Sequence, residues 1–268
     1  MISIGTTFNY AIPLRDQLPL IKKAGFTHIS LGAKLEHSNY LESEGKKIIR
    51  TMVESHGLAV CSIHTPFGKD LDISSPDKGI SDRTVEIYRR CIESAQFLSA
   101  GIVIFHPTAY LSSDRIDKRK DVLVANVGKL LDHTGQGSVK LAVENDSYEP
   151  TNDVLSHSLN EIADSRYGFC YDASHDNLVE RPLALLKHYG HRLVTTHISD
   201  NRGRKDDHML PFEGFYDWDG FCKVFTRVCF DGVFLLEVEM RESAFESPVE
   251  FIIEAFRRGE KLRKACGK

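Results

Sequence analysis

The sequence predicts a closed (β/α)₈ barrel of the α/β class, with parallel strands and its active site at the C-terminal face. Three observations carry this. Eight short β-rich runs alternate with longer amphipathic stretches, glycines mark the junctions, and 268 residues suit a fold that uses roughly 250 as one unit. A single domain spanning 1–268 is therefore expected.

The runs are Ile2 to Thr6, His28 to Leu31, Leu58 to Ile63, Ile102 to Phe105, Lys140 to Val143, Gly168 to Tyr171, Leu193 to Thr196 and Val233 to Leu236. Between them, Leu14 to Ala24, Gly45 to His56, Ser81 to Ser99 and Ile116 to His133 place apolar residues at three- and four-residue steps, which is the period of an amphipathic helix. Ala24-Gly25, His56-Gly57 and Ala100-Gly101 are each expected to end a helix on a left-handed glycine and release the chain into the next strand. A continuous βαβα order implies parallel strands with right-handed crossovers. The rival, an open doubly wound sheet, would show a phosphate-binding glycine loop after an early strand. Neither GxGxxG nor GxxxxGK[ST] occurs.

Composition narrows the function classes. Hydrophobic residues make up 41% and the net charge is −4, so the basic surplus of a polyanion-gripping protein is missing. Arg115, Lys118, Arg119 and Lys120 alternate with Asp114, Asp117 and Asp121, which reads as a solvated helix face. No apolar stretch approaches the roughly 20 residues needed to cross a bilayer. Met1-Ile2-Ser3-Ile4-Gly5 lacks the basic and apolar regions of a secretory signal, so a cytoplasmic protein is expected. Cys61, Cys91, Cys170, Cys222, Cys229 and Cys266 show no CxxC spacing and read as reduced thiols. A homo-oligomer stays open, because exposed and packed apolar positions on outer helices look alike in sequence.

The chemistry collects at strand ends. His64 follows the third run, His106 the fourth, Glu144 the fifth, Asp172 and His175 the sixth, His197 the seventh and Glu237 the eighth. Asp206 and His208 lie in the longest loop, Ser199 to Tyr216. A barrel delivers all of these to one mouth. Imidazole and carboxylate are ligands that Zn, Mn, Co and Mg accept, so a divalent-metal site is expected. Glu237 and Glu239 share a strand face, and Glu237, at the end of the apolar run, is preferred. Most of the other histidines, His28, His37, His56, His133, His157, His188 and His191, fall on helices or at strand starts and are assigned surface or structural roles. Arg202 and Arg204, in the long loop, are expected to orient a substrate oxygen or phosphate, and His175 a substrate hydroxyl.

Glu144-Asn145, Asp172-Ala-Ser-His175, His197-Ile-Ser-Asp200-Asn201, Asp206-Asp-His208 and Glu237 resemble the xylose isomerase-like TIM-barrel superfamily, which unites sugar and sugar-phosphate isomerases or epimerases with type-IV apurinic (AP) endonucleases, the AP endonuclease family 2. The resemblance spans His64 to Glu237. In the epimerase branch it implies one divalent ion held by Glu144, Asp172, His197 and Glu237, with Glu144 and Glu237 as the acid/base pair. In the endonuclease branch it implies two further ions, one with His64 and His106 beside Glu144, the other with His175, Asp206 and His208. The expected function is that of a metal-dependent isomerase or epimerase, using one ion where the chemistry permits up to three. It would move a proton on a small polyhydroxy carbonyl or sugar-phosphate substrate through a metal-stabilised enediolate. A zinc-dependent AP endonuclease-like phosphodiesterase is the alternative, and a non-catalytic sugar-binding barrel the third reading. Against the phosphodiesterase stands the acidic net charge, which suits carbohydrate metabolism better than a nucleic acid partner.

Overall fold

A computed structural model describes residues 1–109, 116–135, 137 and 139–268. Eight parallel strands run in the order β7-β6-β5-β4-β3-β2-β1-β8. They are β1 (Ile2–Gly5), β2 (His28–Leu31), β3 (Ala59–His64), β4 (Ile102–Phe105), β5 (Lys140–Glu144), β6 (Tyr167–Asp172), β7 (Leu193–His197) and β8 (Phe234–Leu236). Just past the end of β7, Ile198 bridges to Leu236 in β8. Its N–H donates to Leu235 O at 2.8 Å and its carbonyl accepts from Glu237 N–H at 3.2 Å, so the cylinder closes at its C-terminal rim.

Helices wrap the outside: α1 (Leu14–Ala24), α2 (Leu35–Ser38), α3 (Ser43–Ser55), α4 (Lys78–Leu98), α5 (Ile116–Thr134), α6 (Glu149–Glu161), α7 (Ala173–Asp176), α8 (Ala184–Tyr189), α9 (Trp218–Phe225) and α10 (Pro248–Ala265). Strand residues such as Ile4, Val103, Val143 and Phe169 pack with helix residues such as Leu18, Ile92, Leu123 and Phe251 in one large core. A smaller cluster of Ile104, Ala142, Cys170 and Leu235 is separate from it and fills the barrel interior. Side chains alternate across a strand. Two residues beyond each interior residue therefore comes the next inward position: His106, Glu144, Asp172 and Glu237.

Two expectations need correction. Gly25 (φ 110°) and Gly57 (φ 60°) are left-handed as expected, but the end of α4 uses Ser99 (φ 56°), and Gly101 is not left-handed. The helix stops two residues earlier because the Ser99 N–H already reaches back to the Gln96 and Ala95 carbonyls. Arg119 does not lie on a solvated face either. It is 5% exposed, and its Nη1 donates to Asp72 Oδ2 at 2.6 Å and to Thr108 Oγ1 at 3.0 Å. The inward stripe of α5 runs through Arg119, Leu123, Asn126 and Leu130, so this one cation is carried into the interior and paired there. Lys118 and Asp121 are exposed as expected, whereas Asp114 and Arg115 lie outside the described residues. Arg119→Met strands a buried carboxylate and should cost about 3–5 kcal/mol in urea unfolding. A loss below about 1 kcal/mol would show that Asp72 is solvated after all.

Candidate metal centre

Strand register sets the site. Glu144 pairs with Cys170 across β5 and β6, and Asp172 pairs with His197 across β6 and β7. His64, Glu144, Asp172 and His197 are the last residues of their strands, so ladder hydrogen bonds fix their backbones. The sequence had placed each of them one step beyond its run.

One ligand atom from each of Glu144, Asp172, His197 and Glu237 lies within 4.8 Å of all the others. His197 Nδ1 is 2.8 Å from Glu144 Oε1, 2.8 Å from Glu237 Oε2 and 3.8 Å from Asp172 Oδ2. His64, His106 and Glu144 form a second such group. There His64 Nε2 is 3.2 Å from Glu144 Oε2, and the His64 and His106 ring centroids are 5.1 Å apart. A third grouping, Glu144, Cys170 and His197, adds a thiol that the sequence reading had not counted among the ligand candidates. Burial, then the charges of Glu144 and Asp172, push Cys170 well above the usual thiol range, so it stays protonated. His175, Asp206 and His208 form a chain, with Asp206 Oδ2 lying 3.2 Å from His175 Nε2 and 2.7 Å from His208 Nε2. Among the described residues they do not make a mutually close ligand group of their own. Glu239 stays outside all these groups.

Neighbouring residues hold these groups in place. Asn145 Oδ1 accepts from Asp172 N–H at 2.7 Å and its Nδ2 donates to Asp172 O at 2.9 Å, which ties β5 to β6 behind the ligands. Its carbonyl lies 2.7 Å from His175 Nδ1 and orients that ring. The long loop after β7 is built around Asp200, which is fully buried. The Asp200 carboxylate accepts from Phe212 N–H, Tyr216 N–H and Trp218 Nε1–H at 2.9–3.1 Å. Those bonds, with the Asp200–Met209 bridge, shape the loop that presents Asp206 and His208.

Charge in the cluster is balanced by protons. Burial opposes a charge on His197, yet Glu144 and Glu237 hold it well above the usual imidazole range. Burial likewise resists ionisation of Glu237, but His197 brings it down to about 2. Asp172 is pushed up to about 7, chiefly by burial. Its Oδ2 is buried and has no hydrogen-bond partner, and neither has His106 Nδ1. An orphaned carboxylate oxygen among three other ligand groups is what a divalent cation would satisfy, so the residues fit a metal.

Proton release on loading follows. His197 must shed its proton to ligate, so metal affinity should fall as pH drops below its raised pKa, by about tenfold per pH unit for each proton displaced. Calorimetry of Mn²⁺ binding in buffers of different ionisation enthalpy would measure it, and binding without proton release would show that the imidazole is neutral beforehand.

Above the cluster a cavity of about 250 Å³ opens, reached by His64, His106, Glu144, His175, Asp206, His208 and Glu237. None of the seven histidines assigned structural roles lines it. Arg202 and Arg204 are exposed and do not line it either. The sequence reading missed the opposite wall, where Thr7, Tyr10 and Lys34 follow β1 and β2 and Phe67 follows β3. These positions follow strand ends too, but Thr, Tyr, Lys and Phe are not metal-ligand types and so carry no comparable signal in the sequence.

Comparison with known proteins agrees with this architecture. The model of the xylose isomerase-like TIM barrel family matches residues 18–257. An uncharacterized protein of Sinorhizobium fredii (strain NBRC 101917 / NGR234) is 29% identical, the match covering 78% of this chain and 76% of that one. A D-tagatose 3-epimerase-like protein of known structure superposes with a TM-score of 0.80 at 19% identity, covering 98% of this chain and 96% of its own. The IolI protein, solved with a binding zinc atom, gives a TM-score of 0.79 at 16% identity, with 99% and 98% covered.

Proposed function

Since the chain belongs to the xylose isomerase-like TIM barrel family, we propose that it is a divalent-metal-dependent sugar isomerase or epimerase that moves a proton on a small polyhydroxy carbonyl compound. One observation carries the reading. Glu144, Asp172, His197 and Glu237 bring four ligand atoms within 4.8 Å of one another, and the two glutamates among them also line the cavity.

The ion, as Mn, Zn, Co or Mg, would be held by those four residues and would supply Lewis-acid stabilisation of the negative charge that develops on the substrate oxygens. Proton transfer falls to the glutamates. One removes the proton from the carbon beside the carbonyl, and the other returns a proton to the opposite face or to the neighbouring carbon. Glu237, with its side chain 15% exposed, meets the cavity more openly than Glu144 at 1%. Glu144 Oε1 and Glu237 Oε2 each lie 2.8 Å from His197 Nδ1, so the two carboxylates converge on one point. His175 lines the same cavity, and a substrate hydroxyl that bonds its Nε2 would take the place of Asp206 Oδ2, now 3.2 Å away. The epimerase-like and zinc-binding structural neighbours support the reading through a shared fold.

Incubating the Mn²⁺-loaded protein with free 2-ketohexoses in deuterated water should place deuterium beside the carbonyl, as read by NMR. Failure to exchange any sugar that the protein binds would overturn the proposal.

A second reading draws on the His64, His106 and Glu144 group and on the His175–Asp206–His208 chain, which extend the ligands beyond one ion. It is a zinc-dependent phosphodiesterase of the AP endonuclease type. Chelator-sensitive nicking of an abasic duplex by zinc-loaded protein would favour it. We expect none, because among the described residues four carboxylates and one lysine line the cavity.

A further inference from the structure

We propose that Cys222 and Cys266 form a thiol pair that a small disulfide, such as glutathione disulfide, converts into an intramolecular disulfide fastening the last turn of α10 to α9. Neither residue lines the cavity above the metal ligands, so the inference stands apart from the proposed reaction.

The fold brings the two sulfurs together. α9 packs against α10, and Cys222 of α9 packs onto the large core to which Cys266 belongs. The backbone around Cys266 is held at the end of α9. Cys266 N–H donates to Leu262 O at 2.9 Å and Gly267 N–H to Lys264 O at 3.0 Å, which closes α10 with Gly267 at a left-handed φ of 70°. One residue on, Lys268 Nζ donates to Val228 O at 3.0 Å. A Cβ at Gly267 would come within 3.8 Å of Thr226 Cγ2, on the residue that caps α9. With both segments fixed in this way, the Cys222 and Cys266 thiols hydrogen-bond to each other. A disulfide then needs the sulfurs to close to about 2.05 Å on backbones that are already neighbours.

The two thiols differ in role. Cys222 is partly exposed, whereas Cys266 is buried at 0% exposure. The hydrogen bond from Cys266 lowers the Cys222 thiol from its ordinary range, and the same bond, with burial, raises Cys266. Cys222 is therefore the reachable nucleophile and Cys266 the sheltered donor. The Cys222 thiolate attacks one sulfur of glutathione disulfide and expels the other half as a thiolate. Cys266 then gives up its proton and attacks the Cys222 sulfur of the mixed disulfide, and the second glutathione leaves. The protein thiols lose two electrons and two protons in all, and one glutathione disulfide becomes two molecules of glutathione.

The other cysteines are placed differently. Cys61 Sγ lies 3.0 Å from Ser3 Oγ, Cys91 bonds to Tyr40, and Cys170 lies beside Glu144 and His197. Cys229 is exposed and makes no hydrogen bond to another thiol among the described residues.

The test uses the whole chain carrying Cys229→Ser, which takes the exposed thiol out of the reading. Incubating the reduced protein with glutathione disulfide should remove two titratable thiols, lower the mass by two hydrogens and yield a Cys222–Cys266 linked peptide in a digest run without reductant. The cross-link should raise Tm by about 5–10 °C, because it constrains the unfolded chain, and dithiothreitol should reverse the rise. Adding Cys222→Ser should prevent all of this and leave Cys266 unmodified, while adding Cys266→Ala should trap a glutathione adduct on Cys222. Where Cys266→Ala fails to fold, Cys222→Ser, a change at a partly exposed position, decides the matter. A stable glutathione adduct on Cys222 with Cys266 present would overturn the inference. So would a cross-link through any other cysteine, two thiols that stay free, or a cross-linked protein of unchanged Tm.

Discussion

Glu237→Gln should slow exchange of the substrate C–H proton with solvent by about 10²–10⁴-fold, the usual contribution of a positioned general base. Gln keeps the shape of the side chain and one oxygen, but it cannot accept a proton from carbon. Glu144→Gln should be at least as damaging for a further reason. Glu144 Oε1 lies 2.8 Å from His197 Nδ1 and Oε2 lies 3.2 Å from His64 Nε2, so an amide must turn its NH₂ toward one of the two rings. It would disturb two ligand groups at once. Deuterium incorporation followed by NMR gives the rate, and thermal unfolding checks that the barrel is intact. Full exchange in both variants would refute the assignment of the acid/base pair.

Removal of the metal should have the other large effect. A ligand that binds only the folded state stabilises it, by about 2.7 kcal/mol at 100 times its Kd. In a barrel of this size that is a rise in Tm of about 5–10 °C. Chelation should reverse the rise and stop exchange, and added Mn²⁺ should restore both. Asp172→Asn tests the origin of the effect. Asp172 Oδ2 is buried without a partner, and Asn removes the side chain's negative charge while leaving the Asn145 bonds to its backbone untouched. The variant should therefore fold well yet lose most of the metal-dependent rise. A Tm that responds to Mn²⁺ in the variant as in the parent would mean that the ion binds elsewhere.

Much of this could be read in the sequence, and the limits have physical causes. All eight strands were legible because strands buried on both faces form short continuous apolar runs, and α1 was placed at Leu14–Ala24 without error because glycine closes it. The convergence of Glu144, Asp172, His197 and Glu237 was legible because a barrel gathers its strand ends, a rule of topology that needs no coordinates. Arg119 was misread because charge alternation along a helix says nothing about which face turns inward. Only the packing of α5 against the Asp72 loop reveals it. Arg202 and Arg204 were assigned to substrate from their loop, but the hydrogen bonds that organise that loop around Asp200 aim Asp206 and His208 inward and leave the arginines in solvent. The wall of Thr7, Tyr10, Lys34 and Phe67 went unseen because none of these is a metal-ligand type, and only the coordinates show that they face the cavity.

The most direct measurement is an anomalous-scattering map of crystals grown with Mn²⁺. We expect a peak ligated by Glu144, Asp172, His197 and Glu237, with ligand atoms at about 2.0–2.3 Å. A loaded protein whose ions all lie away from those four side chains would contradict the central claim.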